Sequence, residues 1–386
     1  MSRENIYLDH NATALTLKEV LEVIVPMMEK PANPSSIHKQ GRIAKGLVEE
    51  ARRNIMDSLN INQFDYDLIF TSSGTESNNM ILNGTEECHL FLPATEHSSL
   101  TKIAYLRDNV TFLKVDKNGI VDIEYLIATL NECSAEKKLV SIAHANNETG
   151  VMQDIQMIAR VVHEENAILH SDMIQTFSKI HCDLAALDID IATISSHKIG
   201  GLHGAAAVIK KADIDLPALL RGGGQERGFR AGTENTYAIA SFGQASKLIK
   251  VKLPEYNKIE ELRNYLESQI LEFVPEVKIY SKECERLPNT SYIAMPGVSN
   301  QTQLINFDLK GFSVSAGSAC SSGVVEKSHV LAAMDEKDWM SQNAIRVSLG
   351  LSNSKKDIDG FINSWKEIYI SLSNKNNNIE EGVKYG

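Results

Sequence analysis

Lys198, Asp172 and the pair Gly74-Thr75 each stand just after a short run of apolar residues in the sequence. A lysine held at the buried end of a strand is partly desolvated, so its pKa falls and its amine becomes a nucleophile. Gly74 permits a tight turn, and the free N–H groups of a helix that begins at Thr75 suit a phosphate. A carboxylate at the position of Asp172 can cap a helix, ligate a metal or pair with a buried cation.

Each of these residues also has a purely structural explanation when it is taken alone. Ser and Thr are good helix caps, which explains Thr75 without a ligand, and Lys198 by itself fits a solvated loop. In an open α/β sheet, however, ligands bind outside the carboxyl ends of the strands. An anion site, a carboxylate and an activated lysine that meet there are what pyridoxal phosphate requires, because they hold its phosphate, its ring nitrogen and its aldehyde.

A cysteine and a run of glycines are two further candidates. Cys320 lies among Gly, Ser and Ala residues in 313–323, without bulky apolar neighbours, which predicts an exposed thiol on a mobile loop. The glycines of 221–233 do not fit G-x-G-x-x-G, so a dinucleotide site is rejected and a flexible basic loop remains. The other four cysteines are interpreted as structural, and their spacing favours a reducing compartment over disulfides or a zinc site.

The elements that must position these residues follow from the hydrophobic pattern. Short apolar runs alternate with amphipathic segments, which predicts an α/β fold with a seven-stranded, mainly parallel sheet. The runs are 68–70, 89–92, 110–113, 139–142, 167–169, 189–194 and 206–209. Apolar residues at helical spacing predict helices around 48–59 and 155–162.

The pattern changes after residue 233, where a helical stretch over about 236–271 leads to sparser strands. These strands are expected at 278–280, 290–295, 312–315 and 345–349. Strands and helices at this lower density indicate a smaller C-terminal α+β domain. Residues 374–386 are rich in Asn and polar residues and are predicted to form a flexible tail.

The composition excludes several classes of protein. The chain has 386 residues and a net charge of −11, so two domains or one large one are expected and direct nucleic-acid binding is not. The first residues carry no apolar signal region, and no stretch approaches the ~18 apolar residues of a membrane span. We therefore expect a soluble cytoplasmic protein without a membrane partner.

Together these residues closely resemble the cysteine desulfurases, which are class V aminotransferases and pyridoxal phosphate enzymes of fold type I. The similarity extends from Tyr7 to about Leu351. The matching blocks are Asn33 to Ser36, Gly74 to Asn79, His97, Asn146 to Gly150, Asp172-x-x-Gln175, Ser195-x-His197-Lys198, Gly222 to Thr233, Gly317 to Cys320 and Arg346. The Gly-Ser-Ala-Cys block resembles the subgroup with a long mobile cysteine loop.

The resemblance implies how the site residues act around pyridoxal 5'-phosphate. Lys198 binds the cofactor covalently, is freed by L-cysteine and then moves a proton at Cα. Asp172 stabilises the protonated ring nitrogen, and His97 stacks on the ring as a candidate acid or base. The remaining cofactor-binding residues are Gly74; Asn147 and Gln175 on the side of the ring hydroxyl; and Thr75, Ser195, His197 and the partner subunit's Thr233 at the phosphate. A homodimer is therefore implied.

The resemblance also implies the substrate contacts and the product. Arg346, assisted by Asn33, grips the substrate carboxylate through a planar pairing that a lysine could not reproduce. Cys320 attacks the sulfur of L-cysteine, which leaves L-alanine and a persulfide that passes to an acceptor protein. Iron–sulfur cluster assembly and thio-modification pathways both use such sulfurtransferases. No metal is expected.

Other functions stay open at this point. A selenocysteine lyase or an aminotransferase of the same fold is the main alternative, although an aminotransferase has no use for the thiol of Cys320. A non-catalytic scaffold protein would be expected to lack Lys198, Asp172 or Cys320. The resemblance divides the chain into an aminotransferase-like, cofactor-binding large domain over 15–257 and a small domain over 258–373, to which the arm 1–14 belongs and which carries the cysteine loop.

Overall fold

The computed structural model describes residues 5–317, 327–334 and 338–383. Its strands are β1 (Ile6–Tyr7), β2 (Tyr66–Thr71), β3 (His89–Pro93), β4 (Val110–Leu113), β5 (Lys138–Ser141), β6 (Ile168–Asp172), β7 (Ile191–Ser195), β8 (Ala206–Lys211), β9 (Lys278–Ile279), β10 (Thr290–Ala294), β11 (Phe312–Ser313) and β12 (Ala344–Ser348). Its α-helices are α1 (Lys18–Ile24), α2 (Lys39–Ser58), α3 (Gly74–Gly84), α4 (Ser98–Ala104), α5 (Ile123–Glu132), α6 (Ile155–Glu164), α7 (Thr236–Lys252), α8 (Tyr256–Phe273), α9 (Asn300–Leu309), α10 (His329–Ala333), α11 (Asp338–Ser341) and α12 (Lys355–Val383).

Seven strands form one sheet in the order β2-β8-β7-β6-β5-β3-β4. Strand β8 runs antiparallel to both of its neighbours, and the other pairings in this sheet are parallel. Each of the seven apolar runs of the sequence coincides with one of these strands, so the predicted α/β fold with a mainly parallel sheet is confirmed. In β2, Leu68 and Phe70 join one core cluster while Ile69 joins another, because helices cover both faces of the sheet.

The helices on the sheet bury one stripe each, as their spacing predicts. Helix α6 buries Ile155, Ile158 and Val162, and the side chain of Asp154 caps its first turn by accepting from the Met157 N–H. Within the described part of the chain, no helix has both the length and the apolar character needed to cross a membrane.

The stretch predicted to be helical over 236–271 is two helices, α7 and α8. The 3-10 helix Leu253–Glu255 separates them and contains Pro254 near its start. Proline has no N–H to donate and its ring clashes with the preceding turn. The continuous apolar spacing did not predict this break.

A second, smaller unit packs around an antiparallel sheet of order β12-β10-β9. Helices α8, α9 and α12 cover it, and its core contains the fully buried side chains of Phe307, Phe361 and Trp365. Strand β1 pairs in parallel with β11, which brings the N-terminal arm against this unit. This smaller α+β unit agrees with the expected architecture, while the domain limits at residues 14, 257 and 373 and the tail 374–386 stay predictions.

Candidate active site

The carboxyl ends of β2, β6 and β7 open into one cavity of about 210 Å³. It is lined by Ser73, Gly74, Thr75, Thr95, His97, Ser99, Ala143, Ala145, Asn146, Asn147, Asp172, Ile174, Gln175, Ser195, His197 and Lys198. Because parallel strands end at the same edge of a sheet, side chains far apart in sequence meet here. Every residue predicted to contact the cofactor, apart from Thr233, lines this cavity.

Asp172 is the last residue of β6 and is buried. Its Oδ2 accepts a hydrogen bond from Asn78 Nδ2 at 2.9 Å, and its Oδ1 accepts one from the Ile174 N–H at 2.9 Å. Asn78 also donates to Ser99 Oγ at 2.9 Å, and Ser99 Oγ lies 2.8 Å from His97 Nδ1. A hydrogen-bonded chain of side chains therefore orients the carboxylate and connects it to the imidazole.

The N-terminus of α3 faces the same cavity. Ser73 caps the helix, since its Oγ accepts from the Glu76 N–H at 3.1 Å, and Gly74 and Thr75 are the first helical residues. Positive partial charge and unpaired N–H groups at such an end favour an anion. On the other side of the cavity, the buried Ser195 Oγ has no hydrogen-bond partner among the described residues.

Lys198 ends the short 3-10 helix Ser196–Lys198 that follows β7. Its Nζ donates to the backbone carbonyl oxygens of Asn11 and Ala12, the latter at 2.8 Å. Burial, aided by the charge of Arg346, lowers the pKa of Lys198 from its ordinary 10.5 to about 8, although Asp9 and Asp172 oppose the shift. A substantial fraction of neutral, nucleophilic amine therefore exists near neutral pH.

Two histidines of the cavity are held in the neutral form. Burial lowers the pKa of His97, and its Nδ1 accepts from the Ser99 N–H at 3.1 Å. Burial followed by the charges of Lys198 and His203 lowers the pKa of His197 to about 4. The His197 ring also stacks on His203 with 5.0 Å between ring centroids. A neutral imidazole has one N–H donor and one acceptor nitrogen, so it can donate and accept hydrogen bonds without adding charge to the cavity.

Arg346, on β12, lies beside the cavity and is almost fully buried. Its Nη2 pairs with Asp9 Oδ1 at 2.7 Å, and its Nη1 donates to the Asn147 carbonyl oxygen at 2.9 Å. Its Nε is buried and has no hydrogen-bond partner among the described residues. The guanidinium is thus fixed in orientation by its two terminal nitrogens.

Among the described site residues that were predicted, Arg346, Asn33 and Thr233 do not line the cavity. Asn33 lies on an exposed loop, where its Oδ1 accepts from the Ser35 N–H at 2.9 Å. Thr233 is exposed at the end of the glycine-rich segment. Cys320 lies outside the described residues. The structure brings most of the predicted site residues together, and the roles of all of them stay predictions.

The site also contains residues that sequence reasoning did not single out. The backbone oxygen of buried Asn11 accepts from both Lys198 and Gln175, and its Oδ1 accepts from Lys179 Nζ at 2.8 Å. Lys179 also donates to Gln175 Oε1 at 2.9 Å, and burial holds its pKa well below the ordinary value. Asn78 stands one helical turn after Gly74, so helical periodicity could have found it, whereas nothing periodic marks Asn11.

Comparison with known proteins identifies the family. The family model described as Aminotransferase class-V matches residues 6–361, which is most of the chain. The chain therefore belongs to the class-V aminotransferase family, whose members are pyridoxal-phosphate-dependent enzymes.

Similar proteins identify the group within the class-V aminotransferase family to which the chain belongs. A cysteine desulfurase IscS from Dictyoglomus turgidum is 35% identical over 371 residues, which cover 93% of this chain and 93% of that protein. The X-ray structure of a NifS-like protein from Rickettsia africae is 42% identical with a TM-score of 0.90, and the match covers 95% of this chain and 99% of that one. A structure of SspA in complex with cysteine is 27% identical with a TM-score of 0.74 and covers 89% and 98% of the two chains. Within the class-V family, this chain is a member of the cysteine desulfurases.

The cavity has the donor set that pyridoxal phosphate requires. The buried Ser195 Oγ without a partner and the N-terminus of α3 provide hydrogen-bond donors for a phosphate. Asp172 is a fixed carboxylate for a pyridinium nitrogen, and Lys198 is an amine of lowered pKa for an aldehyde. These residues therefore fit the cofactor of the family.

Proposed function

We propose that this protein removes the sulfur of L-cysteine with bound pyridoxal phosphate, producing L-alanine and a persulfide on Cys320. The observation that carries this proposal is that Lys198, Asp172 and the N-terminus of α3 line one cavity beside the buried Arg346. Full-length relatives named cysteine desulfurases support the same reaction. The structure of SspA with cysteine supports this amino acid as the substrate.

The side chains divide the binding of cofactor and substrate among them. Bound pyridoxal phosphate withdraws electrons from the substrate Cα and so lowers the barrier to proton removal there. Lys198 would hold the cofactor through its amine and, when free, would move the proton at the substrate Cα, roles that suit a buried amine of lowered pKa. Asp172 keeps the ring nitrogen protonated, and its hydrogen bonds from Asn78 and Ile174 maintain its orientation.

Arg346 binds the substrate carboxylate. Its hydrogen bond to the Asn147 carbonyl and its ion pair with Asp9 fix the guanidinium plane before substrate arrives. A preoriented guanidinium loses little side-chain entropy on binding a carboxylate. We retain Asn33 as an assisting residue from the sequence prediction.

The atoms and electrons of the proposed sulfur transfer balance without an external oxidant. The thiolate of Cys320 attacks the substrate sulfur, so an S–S bond forms while the C–S bond of the substrate breaks. The electron pair of the broken bond remains on the carbon, which takes up a proton and becomes the methyl group of L-alanine. The persulfide then passes to an acceptor protein, in iron–sulfur cluster assembly or a thio-modification pathway.

The proposal extends to assembly and compartment. Thr233 is exposed in the single chain, and we propose that it completes the phosphate site of a second subunit in a homodimer. We also propose a cytoplasmic location, a large cofactor-binding domain over 15–257, a small domain over 258–373 with the arm 1–14, and a tail over 374–386.

Replacement of Cys320 tests the sulfur transfer, with a second cysteine as the control. Cys320→Ala should keep the absorbance of bound cofactor but form neither persulfide nor L-alanine, whereas Cys133→Ala, at a half-buried cysteine outside the cavity, should behave like the wild type. Unchanged alanine production by Cys320→Ala would refute the mechanism.

A further variant, Lys198→Ala, tests the covalent link between the protein and the cofactor. Lys198→Ala should lose the covalent attachment, which is checked by borohydride reduction and mass mapping of the peptide that contains residue 198. A visible spectrum identical to that of the wild type would contradict the assignment of Lys198. Side-by-side rates on L-cysteine and L-selenocysteine would test the alternative selenium substrate.

A further inference from the structure

We propose that Glu148 is a positioning residue for sulfur transfer, because its buried carboxylate accepts a hydrogen bond from Ser328 and lies directly beside Gly317, and Cys320 lies between these two positions in the chain. This inference rests on the proposed function, since it assigns to Glu148 the task of placing the segment that carries the nucleophile. Glu148 does not itself line the cofactor cavity. Its effect would reach the reaction through the chain that it holds.

The contact on the C-terminal side is a hydrogen bond. Ser328 Oγ donates to Glu148 Oε2 at 2.5 Å, and the same Oγ accepts from the Leu331 N–H at 3.1 Å as the cap of α10. Next to it, His329 Nε2 donates to the Glu96 carbonyl oxygen at 2.9 Å. The chain that returns from 318–326 is thus attached to the large unit at two adjacent residues.

The contact on the N-terminal side is steric. Gly317 has a φ of +87°, and a Cβ at this position would lie 2.7 Å from Glu148 Oε2 and 2.8 Å from the Tyr292 hydroxyl. Both the backbone angle and the space therefore require glycine. Tyr292 in addition donates to the Ala316 carbonyl oxygen at 3.2 Å, so the backbone at residues 316 and 317 is held in place.

Glu148 also connects these two contacts to the cofactor cavity through its neighbour in the chain. It directly follows Asn147, which lines the cavity and whose carbonyl oxygen accepts from Arg346. The backbone N–H groups of Glu148 and Thr149 both donate to Asn146 Oδ1, at 2.9 and 3.0 Å, which makes this turn rigid. One short turn thus contacts the cavity, the substrate-binding arginine and both ends of the cysteine segment.

Burial and the neighbouring groups act in opposite directions on the pKa of the Glu148 carboxyl group. Burial raises the pKa of Glu148, while the Ser328 hydroxyl and the charges of His329 and Arg346 act in the opposite direction. A buried carboxyl group is costly unless its oxygens are paired. Here Ser328, at one end of the segment that must be positioned, is one hydrogen-bond partner, and the hydroxyl of Tyr292 on β10 is a second.

The test uses Ser328→Ala in the holoenzyme, because it removes the hydroxyl that donates to Glu148 and caps α10, and the comparison with Ser328→Thr, which keeps a hydroxyl, isolates the effect of that group. Persulfide on Cys320 is measured in a single turnover with L-cysteine by alkylation and mass spectrometry. Exchange of the Cα proton of L-alanine in D₂O is measured in parallel, since it needs the cofactor, Lys198 and Arg346 but no thiol. Ser291→Ala is the matched control, because Ser291 Oγ donates at 2.7 Å to another buried carboxylate, Glu267.

We expect Ser328→Ala to slow persulfide formation by about tenfold or more, since small misplacement of a reacting group is costly. Its Cα-proton exchange and cofactor absorbance should stay within about twofold of the wild type. Ser328→Thr, which keeps the hydroxyl, should restore most of the rate, and Ser291→Ala should leave it unchanged. Gly317→Ala, at the N-terminal end of the same segment, should likewise slow persulfide formation while leaving Cα-proton exchange unchanged.

Two outcomes would overturn the inference. Persulfide formation in Ser328→Ala within about twofold of the wild type would show that the contact does not position the segment. A parallel loss of Cα-proton exchange, absorbance and thermal stability would show a general structural role. Failure of the proposed function is distinguishable from both, because the wild type itself would then form no persulfide on Cys320.

Discussion

The lowered pKa of Lys198 gives a prediction that can be checked without substrate. Burial first, and then the charge of Arg346, bring the pKa to about 8 from the ordinary 10.5. At pH 7 the neutral fraction of the amine should therefore be roughly 300-fold larger than that of an ordinary lysine, because each pKa unit changes it tenfold. The reactivity of this amine should rise between pH 7 and 9 and then level off.

Two substitutions should move this titration in opposite directions. Asp9 raises the pKa of Lys198 and Arg346 lowers it. Asp9→Asn should therefore shift the midpoint down and Arg346→Gln should shift it up, each by about one unit, as expected for removal of one nearby charge. Neither should return it to 10.5, because burial is the largest cause.

Competitive labelling of the cofactor-free protein with isotopic acetic anhydride measures the titration residue by residue. The ratio of label at Lys198 to label at the exposed Lys39 is followed from pH 6 to pH 11, with Lys39 as the internal reference. A midpoint for Lys198 above about pH 9.5, or shifts of the same sign in the two variants, would refute the reasoning from burial and charge.

Three further substitutions test other parts of the structure. Glu226→Gln should cost about 3 kcal/mol of stability, measured by urea denaturation, because buried Arg52 loses the carboxylate that it contacts at 3.0 Å and keeps the partly exposed Glu49 as an ionic partner. Asn78→Ala should weaken cofactor binding about tenfold in a spectroscopic titration, because Asp172 loses one of its two hydrogen bonds. Phe361→Ala should cost about 3–5 kcal/mol in the same denaturation assay, since the ring is fully buried.

Matched controls exist for these variants. Glu76→Gln breaks an ion pair with Arg230 of 2.7 Å whose side chains keep contact with water, so its cost should be clearly smaller than that of Glu226→Gln. Leu309→Ala removes a side chain that is 80% exposed and should change stability by less than about 0.5 kcal/mol. Equal costs for the buried and exposed members of either pair would contradict the dependence on burial.

Much of the fold was predictable from the sequence because its signals are local. The seven apolar runs became the seven strands of the main sheet, since a strand covered on both faces must be apolar along its length. The polar residues directly after those runs, including Asp172 and Lys198, had to meet at one edge, since parallel strands end together. The antiparallel direction of β8 and the break at Pro254 depend on neighbouring elements and on local backbone chemistry, and apolar spacing carries no information on either.

The sequence by itself determined the α/β class, the edge where the site lies and the residue types that suit an aldehyde, a ring nitrogen and a phosphate. Only the tertiary structure decided which other groups orient these site residues and shift their pKa values. Asn11 and Asp9 come from the N-terminal arm, Arg346 from the last strand and Glu148 from a central turn, and long-range packing brings each to its partner. Burial and charge at a residue depend on everything folded around it, so the pKa of Lys198 and the role of Glu148 became visible only in three dimensions.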